Sequence, residues 1–246
     1  MSSRPPRIDL AVNGATATLH YIFDPLCGWC YAAAPLVKAA RTVAGLNVRF
    51  HGGGMMTGAN RRTITPQWRD YVMPHDQRIA ELTGQPFGTA YFDGLLRDTA
   101  AVMDSEPPTT AALAAEAAAG RGLDMIERLQ RAHYEEGRRI AELPVLQALA
   151  EELDLPSQAF AQALQRLAGS ATQAHIADSR QWLARAGGQG FPTFALAGAD
   201  GALQTLDISL WLGRPEAWRQ HLERRLQAAA TQPTGQLPAA PQPGCP

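Results

Sequence analysis

DPLCGWCYAAAP, residues 24–35, joins an apolar β-prone run to an alanine-rich one, with Cys27 and Cys30 two residues apart at the seam. Such a pair can be a metal clip, a structural disulfide or a redox pair. A structural zinc site needs about four ligands. There is no second CxxC, and His20, His51, His75, His133, His175 and His221 form no HxxxH pair. A chain of 246 residues buries enough core to fold without a staple. The third cysteine, Cys245, lies in a proline-rich tail. The redox reading has a mechanism. A cysteine just before the first turn of a helix meets free N–H groups and the positive end of the helix dipole, which favour a thiolate. Cys30 lies one turn on, where it can resolve a mixed disulfide.

Residues 17–23 read as a strand ending at Asp24-Pro25, paired across Asn13-Gly14 with residues 7–12 in a hairpin. Residues 29–43 read as a helix closed by Gly45, and residues 46–51 as a strand, which completes a βαβ unit with a right-handed crossover. HGGGMMTG, residues 51–58, reads as a flexible loop in which Met55 and Met56 could line a groove, an ordinary glycine-rich loop being the simpler reading. From about residue 65 to 186 apolar positions recur at three and four residues, so the block reads as helical. Gly137 and Leu155-Pro156 punctuate helices there, and residues 104–108 read as an interhelical loop. Strand chemistry returns at residues 191–198, with residues 202–209 as hairpin partner across AGADG. Residues 215–230 form a closing amphipathic helix with proline at its start, and residues 231–246 a disordered tail.

CGWC at the head of a helix after a central strand resembles the thioredoxin fold. Pro35 falls where thioredoxins carry a helix-kinking proline. GFPTF, residues 190–194, matches the cis-proline strand that thioredoxin-like proteins place opposite the pair. The helical block lies between these two halves. That plan is similar to the DsbA-like family, and HYEEGRRIAELPVLQALAEELDLP, residues 133–156, resembles that family's helical segment. The DPLCGWCY wording resembles most the cytosolic members described as protein disulfide isomerases, with FrnE-type proteins as cousins. The resemblance implies an α/β class, a thioredoxin fold with a large all-helical domain inserted between its βαβ and ββα halves. The halves would be residues 1–59 and 187–230, and the insert residues 60–186.

It also implies a thiol–disulfide oxidoreductase or isomerase. Cys27 would attack and Cys30 resolve, with Gly28, Trp29, Phe191 and Pro192 meeting the substrate. Phe191 would offer its backbone to an extended peptide. Protein or peptide thiols and disulfides are the expected partners, and glutathione or a reductase the candidate recycling partner. No metal or bound cofactor is expected beyond the cysteine pair. Two departures stand out. Gly28-Trp29 carries no charge where the periplasmic oxidants have a histidine, so the pair is expected to be less oxidising. Thioredoxin-like proteins often carry a buried acid six residues before the first cysteine, where this chain has Tyr21. Asp24 is a candidate for proton transfer with Cys30, though also an ordinary turn residue before Pro25. Trp29 reads as a partly exposed platform for an apolar segment, or as packed on the insert.

Composition narrows the classes further. A net charge of -1 and 46% hydrophobic residues, with no basic run, argue against nucleic-acid or membrane-surface binding. No apolar run reaches the roughly 18 residues of a bilayer span. The amino terminus has no secretory h-region, and a cytoplasmic location is expected. Two alternatives stand beside the oxidoreductase. One is a small-molecule enzyme like the kappa-type glutathione transferases or the isomerases of aromatic degradation, which use a serine-type position where the CxxC begins. The other is a peptide-binding chaperone module.

Overall fold

The computed structural model describes residues 17–198 and 201–231. The hairpin strand at residues 7–12, its Asn-Gly turn, the tail and Cys245 lie outside them. A strand, β1 (Ala17–Phe23), enters the cysteine segment. Two short helices follow, α1 (Gly28–Ala32) and α2 (Ala34–Ala40), then strand β2 (Leu46–Gly52). The single helix expected over residues 29–43 is thus divided. Pro35 has no N–H for the carbonyl of Tyr31, which lies four residues back. The side-chain amide of Gln85, from the helical insert, donates to that carbonyl instead at 2.9 Å.

The insert begins with a two-residue ribbon, β3 (Arg62–Thr63) antiparallel to β4 (Val102–Met103). Between these strands run α3 (Pro66–Thr83), a π-helical turn at Ala90–Gly94 and a 3-10 turn at Leu95–Arg97. Helices α4 (Glu106–Ala119), α5 (Gly122–Tyr134), α6 (Leu143–Glu152), α7 (Ser157–Leu167) and α8 (Ser170–Arg185) complete it. Residues 104–108 are therefore not all loop. Pro107 and Pro108 fall in the first turn of α4, where a missing N–H breaks no helical bond. Strands β5 (Thr193–Ala197) and β6 (Leu203–Leu206) and helix α9 (Pro215–Thr231) close the described chain.

The main sheet has the order β2-β1-β5-β6. β1 runs parallel to β2 and antiparallel to β5, and β6 is antiparallel to β5. β1 is central and covered on both faces, which is why it reads as nearly continuous apolar sequence. Leu19, Tyr21 and Phe23 point into a core shared with Leu36 of α2 and Trp218 and Leu222 of α9. Ile22 points the other way, onto Ala195, Trp182 and Leu183. α8, the last helix of the segment read as insert, thus packs on the sheet. A second core lies inside the insert, where Ala111, Ala114 and Ala115 of α4 meet Leu129 of α5, Leu149 of α6 and Phe160 of α7. The alanines of α4 let these helices approach closely.

The cysteine segment lies between the two cores. Cys27 and Cys30 belong to the sheet core, while Leu26 and Tyr31 belong to the insert core. Removing one methylene beneath the central strand tests the packing of α8. Ile22→Val is expected to cost about 1 kcal/mol, read as a lower urea midpoint at unchanged m. No loss would show that α8 closes over the smaller side chain.

Candidate active site

Cys27 is the residue that caps the start of α1, with extended backbone at φ -97° and ψ 115°. Its carbonyl accepts from the amides of Cys30 and Tyr31 at 2.9 and 3.1 Å, so one turn brings the second cysteine under the first. Both are free thiols and buried, Cys30 completely. Burial pushes the Cys30 thiol well up, and a hydrogen bond and charge from Cys27 add to it. Cys30 Sγ also accepts from the Asp24 amide at 3.4 Å. Tyr21, at the position where the resemblance led to an acid, donates its hydroxyl to the Cys30 carbonyl at 3.2 Å.

The distant strand arrives as the motif requires. Phe191-Pro192 is cis, and the Cys27 thiol donates to the Phe191 carbonyl at 3.5 Å. The loop after β2 locks this contact. A Cβ on Gly53 would stand 2.1 Å from the Phe191 ring, so glycine is required for the approach. Arg180 of α8 holds the loop from outside, donating to the carbonyls of Gly53 and Gly54 at 3.0 and 2.8 Å. The loop read as flexible is therefore tied at three points.

Asp24 makes the third tie. Its fully buried carboxylate accepts from the Leu26 amide at 2.9 Å, the Ser105 hydroxyl at 2.8 Å and the Met55 amide at 2.5 Å. These donors come from the cysteine segment, the start of α4 and the loop. Burial raises its titration to about 6 against the pull of those hydrogen bonds. Asp24 is close enough to Cys30 to raise the cost of a thiolate there.

Trp29, the other residue between the cysteines, is 36% exposed. Gly28 is not free, because a Cβ there would lie 2.6 Å from Asp76 Oδ1 of α3 and 3.0 Å from Ile79 Cδ1. Met55 and Met56 line an open groove that continues past Arg61 and Arg62 to Trp68 and Tyr71. Sequence reasoning missed Asp76, Ser105, Gly53 and Arg180, since each is set against the pair by the tertiary fold alone. Among the described residues, no three His, Cys, Asp or Glu side chains converge on a metal-sized site. No helix there is long and apolar enough to cross a membrane.

Residues 18–216 match the DSBA-like thioredoxin domain. The chain is similar to the cytosolic disulfide reductase DsbM from Pseudomonas aeruginosa, at 58% identity and a TM-score of 0.80 over 86% of this chain and 99% of that one. A structure of DsbM with GSH aligns at 56% identity and a TM-score of 0.78, over 85% of this chain and 99% of that one. A 2-hydroxychromene-2-carboxylate isomerase shares the fold, at 19% identity and a TM-score of 0.53 over 87% and 100% of the two chains. A search of curated proteins gives no match.

Proposed function

Because the chain belongs to the DSBA-like thioredoxin domain family, and is a thiol–disulfide oxidoreductase, we propose that it works as a cytoplasmic reductase of protein or peptide disulfides, recycled by glutathione. The observation that carries this is the meeting of two groups at one sulfur: Cys27 stands at the start of α1, and its thiol meets the carbonyl of Phe191, the residue before Pro192. The thiolate of Cys27 attacks one sulfur of a substrate disulfide. A Cys27–substrate disulfide forms and the other substrate sulfur leaves as a thiolate. Cys30 then loses its proton and attacks the Cys27 sulfur, which closes the Cys27–Cys30 disulfide and releases the second substrate thiolate.

Asp24 is the candidate acceptor for the Cys30 proton, since it is buried beside Cys30 and titrates near neutrality. The Phe191 backbone and the groove from Met55 to Tyr71 supply an edge and a trough for extended chain. Two molecules of glutathione would reduce the enzyme disulfide and leave as oxidised glutathione. The reductive direction is supported by the likeness to DsbM and by the uncharged Gly28-Trp29. The likeness to the chromene isomerase extends to the fold, and the intact cysteine pair argues against its small-molecule chemistry.

Glutathione buffers test the reading. As the ratio of reduced to oxidised glutathione is varied, two of the three thiols are expected to appear and vanish together in an alkylation assay. A pair that stays fully reduced at every poise sinks the proposal.

A further inference from the structure

A second buried carboxylate faces the cysteine segment from the insert, and the exchange chemistry above does not use it. Asp76, in the middle of α3, is 6% exposed. Its Oδ2 accepts from the Tyr91 hydroxyl at 2.7 Å. Its Oδ1 occupies the place a side chain on Gly28 would need, 2.6 Å from that residue's would-be Cβ. The carboxylate therefore lies against the first turn of α1, next in sequence to Cys27. Burial pushes the Tyr134 phenol of α5 well up, and Tyr91, Asp76, Cys27 and Cys30 add to it in that order. Tyr134 packs on Tyr91 with ring centroids 5.2 Å apart and on Tyr31 at 4.8 Å. The neighbourhood is buried, and charges in it are weakly screened.

We propose that Asp76 is a positioning residue that keeps Gly28 side-chain-free and sets the poise of the Cys27–Cys30 pair on the reducing side. The physical step is direct. A thiolate on the pair is stabilised by nearby positive charge and opposed by negative charge. The thiolate exists only in the reduced enzyme. A carboxylate against this turn therefore raises the free energy of the dithiol form relative to the disulfide, and the pair gives up its electrons more readily. The proposal rests on the redox reading of the pair and deepens it.

The charge can be switched. Burial lifts the titration of Asp76 to about 6, against the Tyr91 hydrogen bond and the nearby His75. The groups facing it are Gly28 of α1, Tyr91 from the π-helical turn and His75 on its own helix, and its charge also reaches Tyr134 of α5. His133 stands behind Tyr91, with ring centroids 5.3 Å apart. Burial holds His133 down at about 4, so it stays neutral across the range in which Asp76 ionises. Asp24 titrates in the same range, and it is common to wild type and every variant below, so their differences report Asp76.

The test compares wild type, Asp76→Asn and Tyr91→Phe in the full chain. At pH 7.5 Asp76→Asn is expected to be alkylated by iodoacetamide at Cys27 about fivefold faster. Its equilibrium constant for oxidation is expected to fall by a similar factor. That reaction is enzyme dithiol plus oxidised glutathione giving enzyme disulfide plus two reduced glutathione. Below pH 5, where Asp76 is protonated, wild type and Asp76→Asn should converge. Tyr91→Phe keeps the charge but removes a hydrogen bond that favours it, so the step in the alkylation profile should move to higher pH. A loosened fold would not produce convergence at low pH together with a displaced step. Equal alkylation rates and equal glutathione constants at pH 7.5, in a folded Asp76→Asn protein, overturn the role of Asp76 while the redox reading stands. A wild-type pair that ignores glutathione overturns both.

Discussion

Cys27→Ser is expected to abolish disulfide exchange, by a factor on the order of 10⁴ or more, while Cys30→Ser keeps the attack and loses the release. The asymmetry follows from burial. Cys30 is sealed beneath the first turn of α1, its thiol pushed up by desolvation and by Cys27 above it. It cannot meet a substrate first. Cys27 stands at the helix start with its sulfur against the Phe191 carbonyl, the edge on which a substrate strand would lie. A serine oxygen there has no comparable nucleophilicity near neutral pH. With Cys30→Ser, attack by Cys27 has no intramolecular exit, so substrates accumulate as mixed disulfides. Non-reducing gels of cell extract, with the double variant as control, make the check. Mixed disulfides trapped equally by Cys27→Ser would assign the nucleophile to Cys30 instead. A chaperone reading makes the opposite forecast, since peptide binding would survive loss of both sulfurs.

The parts of this fold legible in the sequence are those fixed by local chemistry. β1 runs from Ala17 to Phe23, as its β-prone run and the Asp24-Pro25 step suggest. The antiparallel pairing of β5 with β6 and the closing helix from Pro215 follow from strand chemistry on either side of a turn segment and from a proline start. Pro35 was legible as a kink. That it divides the helix in two depends on Gln85, an amide more than fifty positions away, taking over the Tyr31 carbonyl. The ribbon of β3 and β4 has two residues per strand, too few to show an alternation. At the site, Cys27, Cys30 and Pro192 carry sequence signals because their chemistry needs a fixed spacing or a fixed backbone. Asp76 and Ser105 carry none. Each is an ordinary polar residue in a helical region, and only the packing of the insert turns it toward the pair. Gly53 sits in a run of three glycines that reads as slack, yet the Phe191 ring fills the space beside it.

Asp24→Asn carries the other large expected effect, a fall of about 10²-fold in the release step in single-turnover exchange, with the first attack little changed. The wild-type carboxylate collects three donors, and asparagine has one oxygen to offer them. Its amide group would point N–H at the N–H of Met55 or the hydroxyl of Ser105, and it cannot take a proton from Cys30. The same change has a signature in stability. Burial raises the Asp24 titration from its ordinary 3.8 to about 6. A raised value means the folded state holds the proton more tightly than the unfolded chain. The associated stability is full below pH 3.8 and is lost as pH rises through about 6. Across that window the wild type should lose about 3 kcal/mol relative to Asp24→Asn. The buried histidines act with the opposite sign. Burial lowers His20, His133 and His175 to about 4, so the stability they confer is present above their ordinary 6.5 and is lost as pH falls from there toward 4. Their contribution is common to both proteins and cancels in the difference. Urea unfolding of the pair at pH 4.5 and 7.5 therefore isolates Asp24, with the wild type holding the larger relative advantage at pH 4.5. A difference that does not change with pH would mean that Asp24 stays ionised throughout, and would remove it as the acceptor for the Cys30 proton.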